Sequence, residues 1–399
     1  MTFLLSSQNV ADYLREQEIC TDANQDSPQI EPKPAKNFNL LLSFSDRHKL
    51  LIKQERINPT GKTAGEFLRE WRFHQLLEQF SELHLLRSQV SEVLHFNEHD
   101  SVIAFNYLND YNDLADFYRN GKSFPTEIAA ATGATLASIH QATFNCEKYR
   151  NFMAEYCHDC FLDRPSYAMR SLDRFSPEIF GQIPADALKF FILYQRYDSL
   201  GGAIAELIAS AKPCCTIHND LKLSNILVHQ DWDEVPNTVD VLSHDQIYKD
   251  SIIRLIDWER STWGDPAYDL GSLIASYLHL WLSSLVMSKS MTIEESLRLA
   301  TIPLEQLQAS MTSLAESYLN YFPHITEYYP NFLTRIIQFA GLALIEQIQS
   351  AIQYQKSFGN AGICTLQVAK SLLCRPEQSI PTIFGESVSK LSRFNCVPA

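Results

Sequence analysis

The amino-acid sequence predicts an α+β fold in two parts, a small β-rich part followed by a large, mainly helical part. Short apolar runs typical of strands lie within residues 1–108, whereas long helical patterns dominate residues 109–399. With 399 residues, the chain is longer than one ordinary domain and fits two lobes. We therefore expect a domain boundary near Leu108.

The N-terminal part is expected to form a small sheet that carries one helix. Two strand-like runs are separated by the polar residues 45–48, which indicates a hairpin. The helix that follows has Glu66 and Glu70 on the same stripe as Phe73 and Leu77. The predicted elements are a leading helix and loop over 1–27, strands over 38–44, 49–53 and 101–107, and a helix over 64–80.

The C-terminal part is expected to consist of long helices. The first, over 125–143, has an apolar face that includes Ile128, Leu136 and Ile139. One block, residues 214–258, has a strand–loop–strand pattern instead. Further helices are predicted near 187–210, 268–288, 293–322, 330–357 and 360–373.

Composition limits the class of function. The formal net charge of −14 argues against nucleic acid or an anionic membrane as the main partner, because both attract clustered positive charge. The nine cysteines are scattered and odd in number, which is typical of reduced thiols and predicts a cytoplasmic protein. Cys157 and Cys160 form a C-x-x-C without the second pair that a zinc site needs. The most apolar segment, 273–287, is too short for a membrane span and predicts a buried helix.

The segment that starts at His218 contains the residue types that phosphoryl transfer requires. This reaction needs a positioned acceptor hydroxyl, metal ions on the phosphate oxygens and a cation that anchors the nucleotide. Asp220 is suited to orient the hydroxyl and finally accept its proton. Asn225 and Asp257 offer a neutral and a charged oxygen ligand to Mg²⁺, which keeps its other positions for phosphate and water. We therefore expect ATP and Mg²⁺ as cofactors.

These residues lie in motifs that resemble those of the aminoglycoside phosphotransferase and choline kinase-like family, relatives of the protein kinases. The family's H-x-D-x-x-x-x-N loop matches His218, Asp220 and Asn225. Its I-D-W-E and G-D-P-x-x-D-L segments match 256–259 and 264–270. Three linked motifs in the right order are much more specific than one motif alone.

The resemblance implies a two-lobed protein-kinase-like fold. Residues 1–108 would be the nucleotide-binding lobe, and 109–399 the helical lobe with a catalytic loop, 218–228, and a metal-binding segment, 253–271. In the catalytic loop, His218 and Lys222 would act beside Asp220. Lys222 would neutralise the transferred phosphate, although a surface lysine is the alternative.

The resemblance also implies a nucleotide site in the N-terminal part. Lys53 would anchor the α- and β-phosphates, with Glu70 as its partner on the following helix and Glu66 as the rival partner. The backbone of residues 105–108 would hydrogen-bond adenine. The predicted contacts there are Phe105, Tyr107 and Leu108.

Two further residues are expected to support the structure of the site. Asp269, in the third motif, would brace the catalytic loop by hydrogen bonds rather than touch the substrate. His140, in the segment LASIHQ, resembles a helix motif of the family and is expected to be a core histidine with its hydrogen bonds satisfied.

The sequence departs from the family pattern at two places. The loop expected over the phosphates, 32–37, contains no glycine, so the phosphate contacts would come from Lys33, Lys36 or Asn37. The connection across 229–252 is longer than the usual tight turn and acidic, and could be a lid, an acceptor contact or an inert insertion.

The acceptor itself is left open by the motifs. The favoured hypothesis is a kinase for a small hydroxyl compound, neutral or cationic because acidic residues would ring the cleft: Asp220, Asp257, Glu259 and Asp265. An alternative is a kinase for Ser/Thr of a biosynthetic precursor peptide, working with a partner enzyme of the pathway. A third hypothesis, a pseudokinase binding module, is disfavoured because the catalytic residue types are intact.

Overall fold

In the computed structural model of this protein, the described residues are 3–19, 28–45, 48–58, 61–121, 123–155, 185–234, 251–286 and 291–394. The chain divides into two compact units. Unit 1 contains residues 1–113 and 227–261, and unit 2 contains residues 114–226 and 262–399. We retain the division into domains 1–108 and 109–399 as a proposal, because a compact unit is not by itself an independently folding domain.

Unit 1 is built on an antiparallel five-stranded sheet with the strand order β1-β2-β3-β5-β4. Alternate side chains of a strand point to opposite faces. Accordingly, Val102 and Ala104 pack on one face of β5, against helix α1, whereas Ile103 and Phe105 pack on the other, with Phe67 of α2. The elements are α1 (Val10–Glu16), β1 (Gln29–Lys33), β2 (Phe38–Ser43), β3 (Lys49–Gln54), α2 (Glu66–Gln79), β4 (Glu92–Asn97) and β5 (Val102–Asn106).

The start of α2 is held by a side chain from β3's end. The buried carboxylate of Glu55 accepts hydrogen bonds from the backbone amides of Glu66, at 3.1 Å, and Phe67, at 3.4 Å. It also accepts one from the Ser101 hydroxyl at 2.9 Å. A carboxylate at this position satisfies orphan amide groups and complements the helix dipole. The cap therefore fixes where the carboxylates of α2 lie relative to the sheet.

A second, three-stranded sheet of unit 1 has the order β6-β8-β9, and unit 2 contains a two-stranded ribbon of β10 and β7. The strands of both sheets are three or four residues long, and four of them lie directly beside the motif segments of the sequence. The strands are β6 (Tyr111–Asp113), β7 (Cys215–Ile217), β8 (Ile226–His229), β9 (Ile253–Leu255) and β10 (Thr262–Gly264).

Unit 2 is otherwise helical, and its core lies between long helices. Gly133 of α4 faces the backbone of α10, where an added Cβ would lie 2.2 Å from the Leu314 carbonyl oxygen, so the two helices approach more closely than a side chain would permit. The described helices are α3 (Leu114–Gly121), α4 (Thr126–Thr143), α5 (Glu147–Ala154), α6 (Ala185–Gln195), α7 (Asp198–Ala209), α8 (Ala267–Ser283), α9 (Ile293–Arg298), α10 (Leu304–Tyr321), α11 (Ile325–Tyr328), α12 (Phe332–Gln355), α13 (Asn360–Cys374), α14 (Pro376–Phe384) and α15 (Val388–Ser392).

The expected α+β class, with a small sheet near the N-terminus and a mainly helical remainder, is confirmed. Within the part of the chain that the structure describes, no helix is both long and apolar enough to cross a membrane. The C-x-x-C pair, Cys157 and Cys160, and most of the 229–252 connection lie outside the described residues.

Candidate active site

The loop that follows β7 is fastened to helix α8 by one carboxylate. Asp269, which is fully buried, accepts a hydrogen bond from the His218 amide at 2.7 Å and another from the Asn219 amide at 2.9 Å. Asn219 has a φ of 65°, in the left-handed region that asparagine tolerates better than most residues. Asp269 and this turn together determine where the next residue, Asp220, lies. The expected bracing role of Asp269 thus has a direct structural basis.

Asp220 is tied to the rest of its loop on both sides. Lys222 forms an ion pair with the Asp220 carboxylate at 3.0 Å, and the side-chain amide of Asn225 donates a hydrogen bond to the Asp220 carbonyl at 2.9 Å. Because the Asn225 nitrogen is engaged in this way, its oxygen is the atom oriented for a cation. Asp220 and Lys222 are partly exposed, whereas Asn225 is buried.

Two histidines of unit 2 lie in its core. His140 Nδ1 lies 2.9 Å from the Tyr318 hydroxyl, and its Nε2 lies 3.2 Å from the Asp269 carboxylate. The expectation that His140 is a satisfied core histidine agrees with these contacts. His218 is also fully buried, so it contributes to the site from behind the loop rather than from its surface.

In unit 1, residues 204 positions apart in sequence form an ion pair: Lys53 of β3 donates to the carboxylate of Asp257. Asp257 follows β9 with a φ of 62°, a left-handed conformation that bends the chain at this point. The Phe105 ring lies 5.0 Å from the Lys53 ammonium. The neighbouring Trp258 is fully buried and stacks on Phe73 of α2 at a centroid distance of 3.7 Å, which locks the segment against the helix.

Lys53 has Asp257, rather than Glu70, as its direct ion-pair partner. Burial alone lowers the pKa of Lys53, but the charges of Asp257 and Glu70 outweigh burial and raise it. Glu70 is fully buried, and its carboxylate oxygens have no well-formed hydrogen bond with any described residue. The pKa of Glu70 is raised from 4.5 to about 8, mainly by burial. Lys53 and the Trp258 backbone act to lower this pKa, whereas the charges of Asp257 and Glu259 act to raise it.

The rival carboxylate, Glu66, has a different partner. Both oxygens of the nearly buried Glu66 accept hydrogen bonds from the ammonium of Lys36, which lies in the β1–β2 connection. The pKa of Glu259 is raised from 4.5 to about 7, mainly by burial and also by the charges of Glu66 and Asp257. Lys53 and Lys36 act to lower this pKa. Glu259 therefore lies within electrostatic reach of both lysines.

The segment expected to contact adenine is partly engaged within the protein. Phe105 is buried in the sheet, and Tyr107 is exposed. The Tyr107 amide donates to the Lys49 carbonyl at 2.9 Å, and the Tyr107 carbonyl accepts from the Asn109 side chain at 3.3 Å. Leu108, which is half-buried, directly follows. Any adenine contact by Tyr107 would therefore use its side chain or the remaining capacity of its carbonyl.

One expectation about the acidic ring is wrong. Asp265 was expected to line a cleft with Asp220, but it is fully buried and paired with Arg335 of α12. The second Arg335 contact, from Nε, is 3.2 Å long. A buried carboxylate requires such a partner because desolvation of an unpaired charge is costly. Asp265 is therefore a core residue and not part of the expected acidic ring.

Residues 55–235 match the sequence model of the phosphotransferase enzyme family. Glu70, Asp220 and Asn225 lie within the matched segment. The match confirms the family resemblance expected from the motifs, and with it the expectation that the chain is a phosphotransferase. It also agrees with the combination of a small antiparallel sheet and a mainly helical unit expected for a protein-kinase-like fold. No curated protein sequence matches the chain.

Several solved structures are similar to the chain at low identity. The choline kinase LicA from Streptococcus pneumoniae is 13% identical, with 92% of this chain and 98% of that chain covered and a TM-score of 0.46. The ADP-bound aminoglycoside phosphotransferase APH(2'')-Ib is 13% identical, with coverages of 92% and 99% and a TM-score of 0.49. A choline/ethanolamine kinase family protein from Mesorhizobium loti is 16% identical, with coverages of 96% and 99% and a TM-score of 0.47.

Proposed function

We propose that this phosphotransferase is an ATP- and Mg²⁺-dependent kinase that moves the γ-phosphate to a hydroxyl group of a small molecule. The observation that carries the proposal is the Lys53–Asp257 ion pair. It joins the two residues that the motifs assign to the phosphates and the metal, although they are far apart in sequence. A lysine that only solvated the end of a strand would extend into water instead of forming this ion pair.

Asp220 is the residue we assign to the acceptor. It orients the acceptor hydroxyl, the acceptor oxygen bonds to the γ-phosphorus as the bond to the β-phosphate oxygen breaks, and the hydroxyl proton passes to the Asp220 carboxylate. Lys222, now paired with Asp220, provides positive charge for the transferred phosphoryl group. His218 and Asp269 hold the loop that presents these two side chains.

Lys53 is assigned to the α- and β-phosphates, with Glu70 and Phe105 beside it. The motifs assign two oxygen ligands to Mg²⁺, the Asp257 carboxylate and the amide of Asn225, which in unit 2 is oriented by its hydrogen bond to the Asp220 carbonyl. Among the described residues, no cluster of three or more His, Cys, Asp or Glu side chains could hold a metal ion. Bound Mg²⁺ would neutralise charge on the phosphate oxygens.

The acceptor we propose is neutral or cationic. In unit 2 the Tyr268 hydroxyl donates to Glu346 at 2.9 Å. The pKa of Tyr268 is raised well above its usual value by burial, then by Glu346, and also by Asp220, so both carboxylates lie within electrostatic reach of this side chain. A positively charged group beside the reacting hydroxyl would be attracted to these carboxylates. A precursor peptide has no supporting observation, and we do not propose it.

The test is transfer of labelled phosphate from ATP to a panel of aminoglycosides, choline, sugars and Ser/Thr peptides, with and without Mg²⁺. We expect Mg²⁺-dependent labelling of a neutral or cationic small molecule by the wild type, and labelling at least ~100-fold slower by Asp220→Asn. Labelling at the wild-type rate in Asp220→Asn would refute the assignment of Asp220. A clear preference for an anionic acceptor would refute the proposed acceptor class while leaving the kinase reaction in place.

We also propose a cytoplasmic location, where ATP and Mg²⁺ are abundant. Its support is the state of the cysteines: Cys146, Cys214, Cys215, Cys364 and Cys374, those in the described part of the chain, are all free thiols.

A further inference from the structure

The connection between β1 and β2 is poor in backbone donors. Phosphates are commonly bound by backbone amides of glycine-containing loops, which come close because no side chain intervenes. Residues 32–37 contain no glycine, and two of them, Pro32 and Pro34, have no amide hydrogen. Pro32 and Lys33 are moreover part of strand β1, paired with Leu40 and Asn39. A side-chain donor is therefore needed if this connection is to hold phosphate.

Of the three polar side chains of the segment, two are committed elsewhere. Lys33 pairs with Glu31 of its own strand at 2.7 Å. Asn37 is buried, and its side-chain oxygen accepts a hydrogen bond from the Arg56 amide at 3.4 Å. Neither contact involves the Lys53–Asp257 pair. Lys36, by contrast, extends from the connection to Glu66 at the start of α2.

Lys36 and Lys53 lie on the same side of the five-stranded sheet. Lys53 is paired with Ile103 of β5 and shares its face, the one that packs on α2, and Lys36 contacts Glu66 at the start of that helix. Lys36 also precedes β2 by two residues, and Asn39 of β2 is paired with Lys53. The β1–β2 connection and strand β3 thus bring two cations to the α2 side of the sheet, which suits an anion with several charged groups. The Lys36 side chain is 49% exposed, and its ammonium has a third donor beyond the two contacts with Glu66, so it can bind another anion while Glu66 stays paired.

We propose that Lys36 binds the outer phosphates of the nucleotide, in the role that backbone amides fill in glycine-containing loops. This proposal rests on the proposed function, since it presumes that ATP binds at Lys53. An ammonium with three rotatable donors can follow the phosphates without close approach of the backbone. Glu66 holds Lys36 in place beside the site.

The test is the affinity for Mg²⁺–ATP and for AMP, measured by calorimetric titration for wild type, Lys36→Ala, Lys36→Arg and Lys33→Ala. Lys33→Ala is the matched control, because it removes the same charge three residues away. We expect Lys36→Ala to weaken ATP binding about 10-fold or more, as loss of a charge-assisted hydrogen bond implies, and to leave AMP binding unchanged. Lys36→Arg should retain most of the affinity, and Lys33→Ala should bind like the wild type.

Two outcomes would overturn the proposal, and they differ in meaning. If the wild type binds ATP and the two alanine variants bind it equally well, Lys36 has no phosphate role, while the proposed kinase function stands. If the wild type does not bind ATP at all, the nucleotide site fails as a whole, and this proposal fails with it. Thermal unfolding of each variant shows that it is folded at the temperature of the titration.

Discussion

Replacement of Glu70 by glutamine should change how the stability of the protein depends on pH. Glu70 is fully buried, and its pKa is raised from 4.5 to about 8, mainly by burial. A carboxyl group with a raised folded-state pKa binds its proton more tightly in the folded state than in the unfolded state. Its contribution to stability is therefore present at pH values below 4.5 and is lost as the pH rises to about 8.

The magnitude follows from linkage. Each pH unit between the two pKa values removes about 1.4 kcal/mol of the free energy of unfolding. Over the whole window the loss would be on the order of 5 kcal/mol, an upper value because the surroundings of a buried charge relax. Glutamine has nearly the same shape but no titratable proton, so Glu70→Gln should remove this contribution. The variant should gain most relative to wild type at about pH 8.

The assay is urea unfolding of wild type, Glu70→Gln and Glu78→Gln between pH 5 and pH 9. The difference in the free energy of unfolding between Glu70→Gln and wild type should grow steadily with pH in favour of the variant. Glu78→Gln is the matched control, because it makes the same change at an exposed position of the same helix, and it should keep the wild-type pH dependence. Equal pH dependence in Glu70→Gln and wild type would refute the reasoning, whatever the absolute stabilities.

Two further predictions concern the reacting groups. Asp220→Asn should lower turnover at least ~100-fold with nucleotide binding intact, because Asp220 acts on the acceptor; Asp231→Asn, the same change at an exposed acid later in the sequence, is the control, and equal turnover of the two variants in a steady-state assay would contradict the role. Asp257→Ala should lose the Mg²⁺ dependence of ATP binding in calorimetric titration, and Asn225→Ala should lose less because it removes a neutral ligand. If both variants keep the wild-type Mg²⁺ dependence, the metal is held by other residues.

The fold elements that sequence reasoning identified are those with a strong periodic signal. Helix α2, expected over 64–80, is observed at Glu66–Gln79, and α4, expected over 125–143, at Thr126–Thr143. The edge strands β1 and β4 lack such a signal. Neither has the alternation of a half-buried strand: β1 is mostly exposed and contains a proline, and β4 is only partly buried along its length.

The candidate site was predictable where a motif fixes it and not where distant residues meet. Asp220 and Asn225 lie in one loop, so their spacing alone brought them together. The partner of Lys53 could not be read from the sequence, because pairing across 204 positions depends on how β9 joins the unit. Asp265 was misplaced for the same reason: its partner, Arg335, is 70 positions away on a helix whose buried face looks apolar.

Asp269 offers the sharpest distinction between a supporting and a reacting residue. Its carboxylate accepts from two successive backbone amides, so in Asp269→Asn one of these amides would face an N–H donor instead of an oxygen. Loss of a charge-assisted hydrogen bond is worth about 1.5–3 kcal/mol, so turnover should fall roughly 10-fold or more as Asp220 moves away from its position. The affinity for ATP without Mg²⁺ should stay unchanged, because Lys53, the residue assigned to the phosphates, belongs to unit 1.

The double variant Asp220→Asn/Asp269→Asn decides whether Asp269 acts through Asp220. If it does, the second substitution has nothing further to displace, and the residual turnover of the double variant should equal that of Asp220→Asn. A merely global loss of stability would instead lower turnover by the same factor in both backgrounds. That additive result, measured at a temperature where all variants are folded, would contradict a positioning role. Asp269 would then be a core residue that, like its neighbour His140, supports the structure in general.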